Sequence, residues 1–198
     1  MDFKGAKAYA LQQLHDGLPD KLTYHGRHHT IDVYKTAMEY ARQEHVSGED
    51  LTLLRTAALY HDIGFLDTYR GHEERGCEVA QAVLPGFGYE PEQITRICGM
   101  IMATQLPQTP HNHLEEIICD CDLDYLGRTD FYHIGSTLFE EFKVYGVLKT
   151  EEDWNSLQVK FLTDHHYFTA TANRLRQQMK EQHLVEIKRV VATYQVRG

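Results

Sequence analysis

Apolar residues recur at helical spacing along almost the whole chain. Stripes of this kind run through residues 3–14 and 31–41, and each stripe breaks at a segment that contains Gly or Pro. Further helical segments are predicted at residues 51–62, 72–84, 91–104, 113–126, 130–145, 151–168 and 171–195. Because no alternating strand pattern competes with them, the sequence predicts an all-α fold, a compact bundle of helices.

Composition limits the size of this bundle and its partners. The chain has 198 residues, 42% of them hydrophobic, and can bury one core, so we expect a single domain over residues 1–198. The 29 acidic residues outnumber the 20 basic ones, and the net charge of −9 argues against binding to polymeric nucleic acid. No stretch reads as a signal peptide or a membrane span, and four cysteines without a CxxC pair fit a reducing compartment. We therefore expect a cytoplasmic protein without a membrane partner, and homo-oligomerisation is left open.

Buried polar residues are the first sign of a functional site. The stretch AALYHDIGF places His61 and Asp62 inside an apolar run. A buried imidazole and a buried carboxylate lose solvation unless a partner compensates them. The helical neighbours of Asp122 are also apolar, whereas Asp120 and Asp124 have charged neighbours. Asp122 is therefore predicted to be the buried aspartate of its segment.

An earlier helix contributes a further polar face. In TYHGRHHTIDV, His25, His29 and Asp32 fall at i, i+4 and i+7. A lone buried His is more often a hydrogen-bonded core residue, and a lone Asp is more often a helix cap. Several of them in apolar surroundings favour a divalent metal ion, and mixed imidazole and carboxylate ligation suits Mn, Fe, Ni, Co, Zn or Mg. The predicted ligand set is one His of this early helix, the adjacent pair His61 and Asp62, and Asp122 of the later helix.

The same residues carry a resemblance to a known family. The series His29, then His61 and Asp62, then Asp122 resembles the H…HD…D pattern of the HD superfamily of metal-dependent phosphohydrolases, which has an all-helical scaffold. The resemblance implies an HD-domain helical bundle with the metal site in its centre. It runs over about residues 24–128, and the helices of residues 130–195 would complete the fold.

A second resemblance concerns the segment YHGRHHTIDV. It is similar to the YHNxxHxxDV segment of cyclic nucleotide phosphodiesterases, where the final His binds metal and the first His donates a proton to the leaving oxygen. This resemblance implies that His29 is a ligand and His25 the catalytic acid. Gly26 stands where that family has Asn.

Together the resemblances imply hydrolysis of a phosphate ester by a metal-activated water, with a nucleotide-like phosphodiester or phosphomonoester as the small substrate. Asp62 would also hydrogen-bond the attacking water, and His25 would protonate the departing alkoxide. The candidate phosphate-binding residues are Arg27, Arg70 and Arg128. The alternative is a non-catalytic nucleotide-binding regulatory module that retains the metal pocket, and the ligand set does not separate the two.

One metal ion is expected, and a second is left open. Some HD subfamilies hold a second ion with a His at about the position of His72, where an exposed histidine at a helix start is the alternative. Where several subfamilies place a further His, this chain has Ala103 and Thr104, which cannot replace an imidazole. Phe65 and Leu66 stand where the guanosine alarmone hydrolases and the HD 5′-nucleotidases carry acidic residues. Those two activities are therefore disfavoured.

Overall fold

In the part of the chain that the computed structural model describes, residues 1–195, every regular element is helical. The α-helices in this part are α1 (Phe3–Gly17), α2 (Arg27–Gln43), α3 (Gly48–Tyr60), α4 (His72–Val83), α5 (Pro91–Ala103), α6 (His113–Asp122), α7 (Phe131–Val144), α8 (Glu151–Asp164) and α9 (Ala170–Gln195). Short 3₁₀ turns lie at Ile63–Leu66, Leu84–Phe87 and Asp124–Gly127. The predicted all-α class is confirmed.

Several helices begin or end away from the predicted positions. α2 begins earlier than the apolar stripe, at Arg27. α3 ends at Tyr60, so that Asp62 stands before a 3₁₀ turn rather than inside a helix. α6 and α8 end earlier than predicted, at Asp122 and Asp164. At the ends of α3, α6 and α8, the apolar spacing continues past the point where the backbone leaves the helix.

The chain divides into two compact units, Met1–Asp122 and the residues from Leu123 onward. The single domain over residues 1–198 stays a prediction, and residues 196–198 lie outside the described part. Within residues 1–195, no helix is both long enough and apolar enough to cross a bilayer.

The central helix of the first unit is α3. It packs against α1, α2, α5 and α6, and its Leu53 and Leu54 are completely buried. At its end, the Tyr60 hydroxyl donates a hydrogen bond to the carbonyl oxygen of Ala6 at 3.0 Å. α2 and α6 also contact each other, while α4 packs against α5 and the Ile63–Leu66 turn. This arrangement brings α2, α3 and α6 together.

In the second unit, α9 packs against α8 and against the Asp124–Gly127 turn. A Cβ atom on Gly127 would lie 2.3 Å from the carbonyl oxygen of Arg176, so this close approach requires glycine. The Arg176 guanidinium also donates from Nε to Asp124 at 2.7 Å. These contacts with α9 hold the segment after Asp122 as a tight turn instead of a continued helix.

Candidate metal centre

Three helices of the first unit bring polar residues to one point. His29 lies in the first turn of α2, His61 directly follows α3, and Asp122 is the last residue of α6. Each residue offers one ligand atom, and these three atoms all lie within 4.8 Å of one another. His29 is 8% exposed and His61 1%. This buried His/His/Asp group could hold a metal ion.

The distances between neighbouring ligand atoms suit a shared ion. His29 Nε2 lies 3.0 Å from Asp122 Oδ1 and 3.4 Å from His61 Nε2, and the latter is 3.5 Å from Asp122 Oδ1. Asp62 brings its Oδ2 to 3.3 Å from His61 Nε2 and 3.5 Å from His29 Nε2. Ligand atoms bound to one ion at about 2.1 Å are about 3.0 Å apart at right angles and about 3.4 Å apart at tetrahedral angles. Asp62 thus lies beside both imidazoles, but it is not part of the group whose ligand atoms all lie within 4.8 Å of one another, and its role as a fourth ligand stays a prediction.

A backbone carbonyl fixes the imidazole of His61. Its Nδ1 lies 3.0 Å from the carbonyl oxygen of Ala58, and since a carbonyl can only accept, Nδ1 carries the proton. A hydrogen bond of this kind orients metal-binding histidines in general. It leaves Nε2 of His61 as the nitrogen that faces the other ligand atoms.

The charges of the group also fit a cation. Burial raises the pKa of the Asp62 and Asp122 carboxyls, but the facing imidazoles of His61 and His29 outweigh it and hold both pKa values well below their usual range. Burial lowers the pKa of His61, and the two carboxylates outweigh this effect and raise it well above its usual value. Asp62 Oδ2 is nevertheless buried without accepting a hydrogen bond. Since a buried carboxylate oxygen needs a partner, this donor set fits a divalent ion.

The predicted burial of the aspartates around the end of α6 is partly wrong. Asp122 keeps 17% of its side chain exposed, whereas Asp120 and Asp124 are 0% and 2% exposed. Asp124 is buried because Arg176 of α9 pairs with it, and comparing neighbours within one helix cannot reveal such a partner. Asp122 remains the aspartate of this segment that faces His29 and His61.

Two more histidines lie beside the group. His25 precedes α2 instead of lying on its face, and its ring centroid is 6.0 Å from that of His29. His72 is the first residue of α4, and 18% of its side chain is exposed. Its Nε2 lies 3.6 Å from Asp62 Oδ1. Asp62 thus directs one carboxylate oxygen towards the His/His/Asp group and the other towards His72.

The three predicted phosphate-binding arginines differ in their surroundings. Arg27 and Arg70 belong to the first unit and are exposed. Arg128 belongs to the second unit, where its Nε donates to Asp130 Oδ1 at 2.9 Å and its Nη1 lies 3.6 Å from Asp124 Oδ2. Its guanidinium is therefore already engaged by carboxylates.

Sequence reasoning missed two buried neighbours of His25 and His72. The Phe65 ring stacks on the imidazoles of His25 and His72, with centroid distances of 4.4 Å and 3.9 Å. Glu73 is 7% exposed, and its Oε2 lies 3.4 Å from His72 Nδ1. Phe65 gave no signal, because an aromatic residue in an apolar run is typical of a helix core. Glu73 gave no signal, because the charged run GHEERG is typical of an exposed helix start.

These features define a class of protein: an all-helical bundle with a buried His/His/Asp group that could bind a metal ion. Residues 26–123 match the HD domain family, and the matched range contains every residue of the H…HD…D series. The chain is an HD domain protein, and the resemblance to the HD superfamily is confirmed. His25 lies just before the matched range.

Two solved structures have a similar fold. One is the crystal structure of a predicted HD superfamily hydrolase from an uncultured Thermotogales bacterium, with 22% identity, coverage of 94% of this chain and 92% of that chain, and a TM-score of 0.62. The other is a protein from Lactobacillus plantarum, with 14% identity, coverage of 99% and 96%, and a TM-score of 0.68. No curated protein matches the chain.

Proposed function

We propose that this protein is a metal-dependent phosphohydrolase that cleaves a nucleotide-like phosphodiester or phosphomonoester. The observation that carries the proposal is the His29, His61 and Asp122 group, whose ligand atoms all lie within 4.8 Å of one another, with Asp62 Oδ2 within 3.5 Å of both imidazoles. The predicted HD superfamily hydrolase of similar fold supports the reaction class by analogy.

In this proposal the protein holds one divalent ion and positions the groups around it. The ion would polarise a phosphoryl oxygen and lower the pKa of water enough to supply hydroxide near neutral pH. Asp62, whose Oδ1 faces away from the imidazoles of the group, accepts a hydrogen bond from the attacking water. His25 gives a proton to the leaving oxygen. The ligands are His29, His61, Asp62 and Asp122.

The proposed substrate is small and anionic. The net charge of −9 is unfavourable for a polymeric nucleic acid or an anionic membrane, since neither can be neutralised by such a surface. A single phosphate ester needs only the ion and one or two cationic side chains. Arg27 and Arg70 are the candidates for that contact, and Arg128 is a weaker one because Asp130 already pairs with it.

A hydrolysis screen tests the proposal. Protein supplied with Mn, Mg, Co, Ni or Zn is assayed on cyclic nucleotides, cyclic dinucleotides, nucleoside mono- and triphosphates and a generic phosphodiester. We expect turnover of at least one class, and its loss in His29→Ala. The matched control is His113→Ala, which removes an exposed histidine that pairs with Glu44 and Glu116 instead. Tight binding of one compound without turnover would favour the regulatory module, and neither binding nor turnover would reject both.

The leaving group separates the roles of His25 and His29. His29→Ala should lose metal and activity together, because an ion that lacks one ligand loses affinity and geometry. His25→Ala should keep its metal and lose roughly 10²–10⁴-fold in rate on an ester with a poor leaving group. On a nitrophenyl ester the loss should shrink, since that leaving group departs without a proton. An equal loss on both esters would reject His25 as the acid.

A further inference from the structure

Phe65 contacts both histidines that lie beside the ligand group. Its ring centroid is 3.9 Å from that of His72 at an interplanar angle of 20°, and 4.4 Å from that of His25 at 27°. The phenylalanine is 4% exposed. Since the two imidazole centroids are 6.1 Å apart, the phenyl ring is a contact that both histidines share.

The backbone fixes the position of this ring. The Phe65 amide donates to the carbonyl oxygen of Asp62 at 3.0 Å, which ties the 3₁₀ turn to the proposed ligand. At Gly64 the turn approaches the start of α4 so closely that a Cβ atom there would lie 2.0 Å from the carbonyl oxygen of His72. The phenyl ring is therefore held at a set distance from both Asp62 and α4.

We propose that Phe65 is a positioning residue, whose ring holds the imidazole of His25 towards the leaving oxygen and the imidazole of His72 towards Asp62. An imidazole at the edge of a site can turn about its side-chain bonds, and only some orientations direct a nitrogen at the reacting atoms. Stacking against a fixed aromatic ring restricts those orientations. The assignment of His25 as the acid rests on the proposed function, whereas the stacking itself does not.

Kinetics on two esters test the proposal. Phe65→Leu keeps an apolar side chain but removes the ring, and it should lower kcat on a poor leaving group by roughly 10–100-fold, below the roughly 10²–10⁴-fold effect of losing an acid outright. KM should stay nearly unchanged, the loss should shrink on a nitrophenyl ester, and Phe65→Tyr should restore most of the rate. In a His25→Ala background, Phe65→Leu should cost little more, because both changes remove the same step. Wild-type kinetics, or an undiminished loss in the His25→Ala background, would overturn the proposal.

A spectroscopic readout separates this proposal from the proposed function. In zinc-loaded protein, the imidazole C–H signals of His25 and His72 are assigned by their absence from the two alanine variants. Phe65→Leu should shift both signals by removing the ring current, while Phe87→Leu, which removes a ring that packs on Tyr9, should not. Unshifted signals overturn the positioning role even in an active enzyme. Shifted signals in a protein that hydrolyses no ester support the positioning and reject the phosphohydrolase.

Discussion

A single methyl group added at Gly64 should disrupt the site without changing any polar residue. The new Cβ atom would lie 2.0 Å from the carbonyl oxygen of His72 and 2.8 Å from the amide nitrogen of Gly76, while real Cβ contacts essentially never fall below 3.0 Å. The turn and α4 must therefore separate by about 1 Å, and both neighbours are backbone atoms that cannot rotate away. Overpacking usually costs about 1–3 kcal/mol, and the rigid contact places Gly64→Ala at the upper end, about 3 kcal/mol.

The matched control is Gly86→Ala, which adds the same methyl group in the Leu84–Phe87 turn, where no atom of residues 1–195 other than its chain neighbours lies within 4 Å of the new Cβ atom. Thermal unfolding should show a fall of about 10 °C in Tm for Gly64→Ala and almost none for the control. Because His72 and Asp62 flank the contact, the same displacement should lower the hydrolysis rate by roughly 100-fold. A Gly64→Ala protein with wild-type Tm and wild-type rate would refute this close packing of the turn against α4.

Three further outcomes are expected. Protein purified without chelator should retain about one equivalent of metal, and elemental analysis should find most of it lost in Asp62→Ala but not in Asp67→Ala, which alters an exposed carboxylate. His72→Ala should keep the ion of the His/His/Asp group and lose only metal in excess of one equivalent. Burial, and to a smaller extent the Lys180 ammonium, lower the pKa of His165 from 6.5 to about 3. Between these two pH values the unfolded state binds more protons than the folded state. The free energy of unfolding therefore falls as the pH is lowered from 6.5 towards 3. At about pH 5 this loss reaches at most about 2 kcal/mol, and urea unfolding should show that His165→Gln removes it.

The fold class could be predicted from the sequence because apolar periodicity reports which face of each helix is buried. The ends of the helices could not, because they depend on contacts with distant residues. The segment after Asp122 continues the apolar spacing of α6, yet it forms a tight turn where Gly127 approaches the backbone of Arg176. The sequence of the segment itself gives no information about the position of α9.

The site could be predicted where polar residues interrupt apolar runs, as at His61 and Asp62. The same reasoning predicted wrongly that Asp124 is exposed, because its helical neighbours are charged. Asp124 is buried because it pairs with Arg176, which lies 52 residues away in the sequence. The reasoning also missed Phe65, since an aromatic residue in an apolar run gives no sign of function. Only the three-dimensional contact with the imidazoles of His25 and His72 does so.

The candidate metal centre lies at the end of α3, the central helix of the first unit. Burying two carboxylates there costs free energy unless an opposite charge compensates them. With neutral imidazoles, Asp62 and Asp122 together carry two negative charges, which one divalent cation balances. Without the cation, the two carboxylates outweigh the effect of burial and raise the pKa of His61, which favours a proton on its imidazole. A proton and a metal ion therefore compete for Nε2 of His61. The divalent ion that balances the two buried carboxylates is also the ion that the proposed hydrolysis would use.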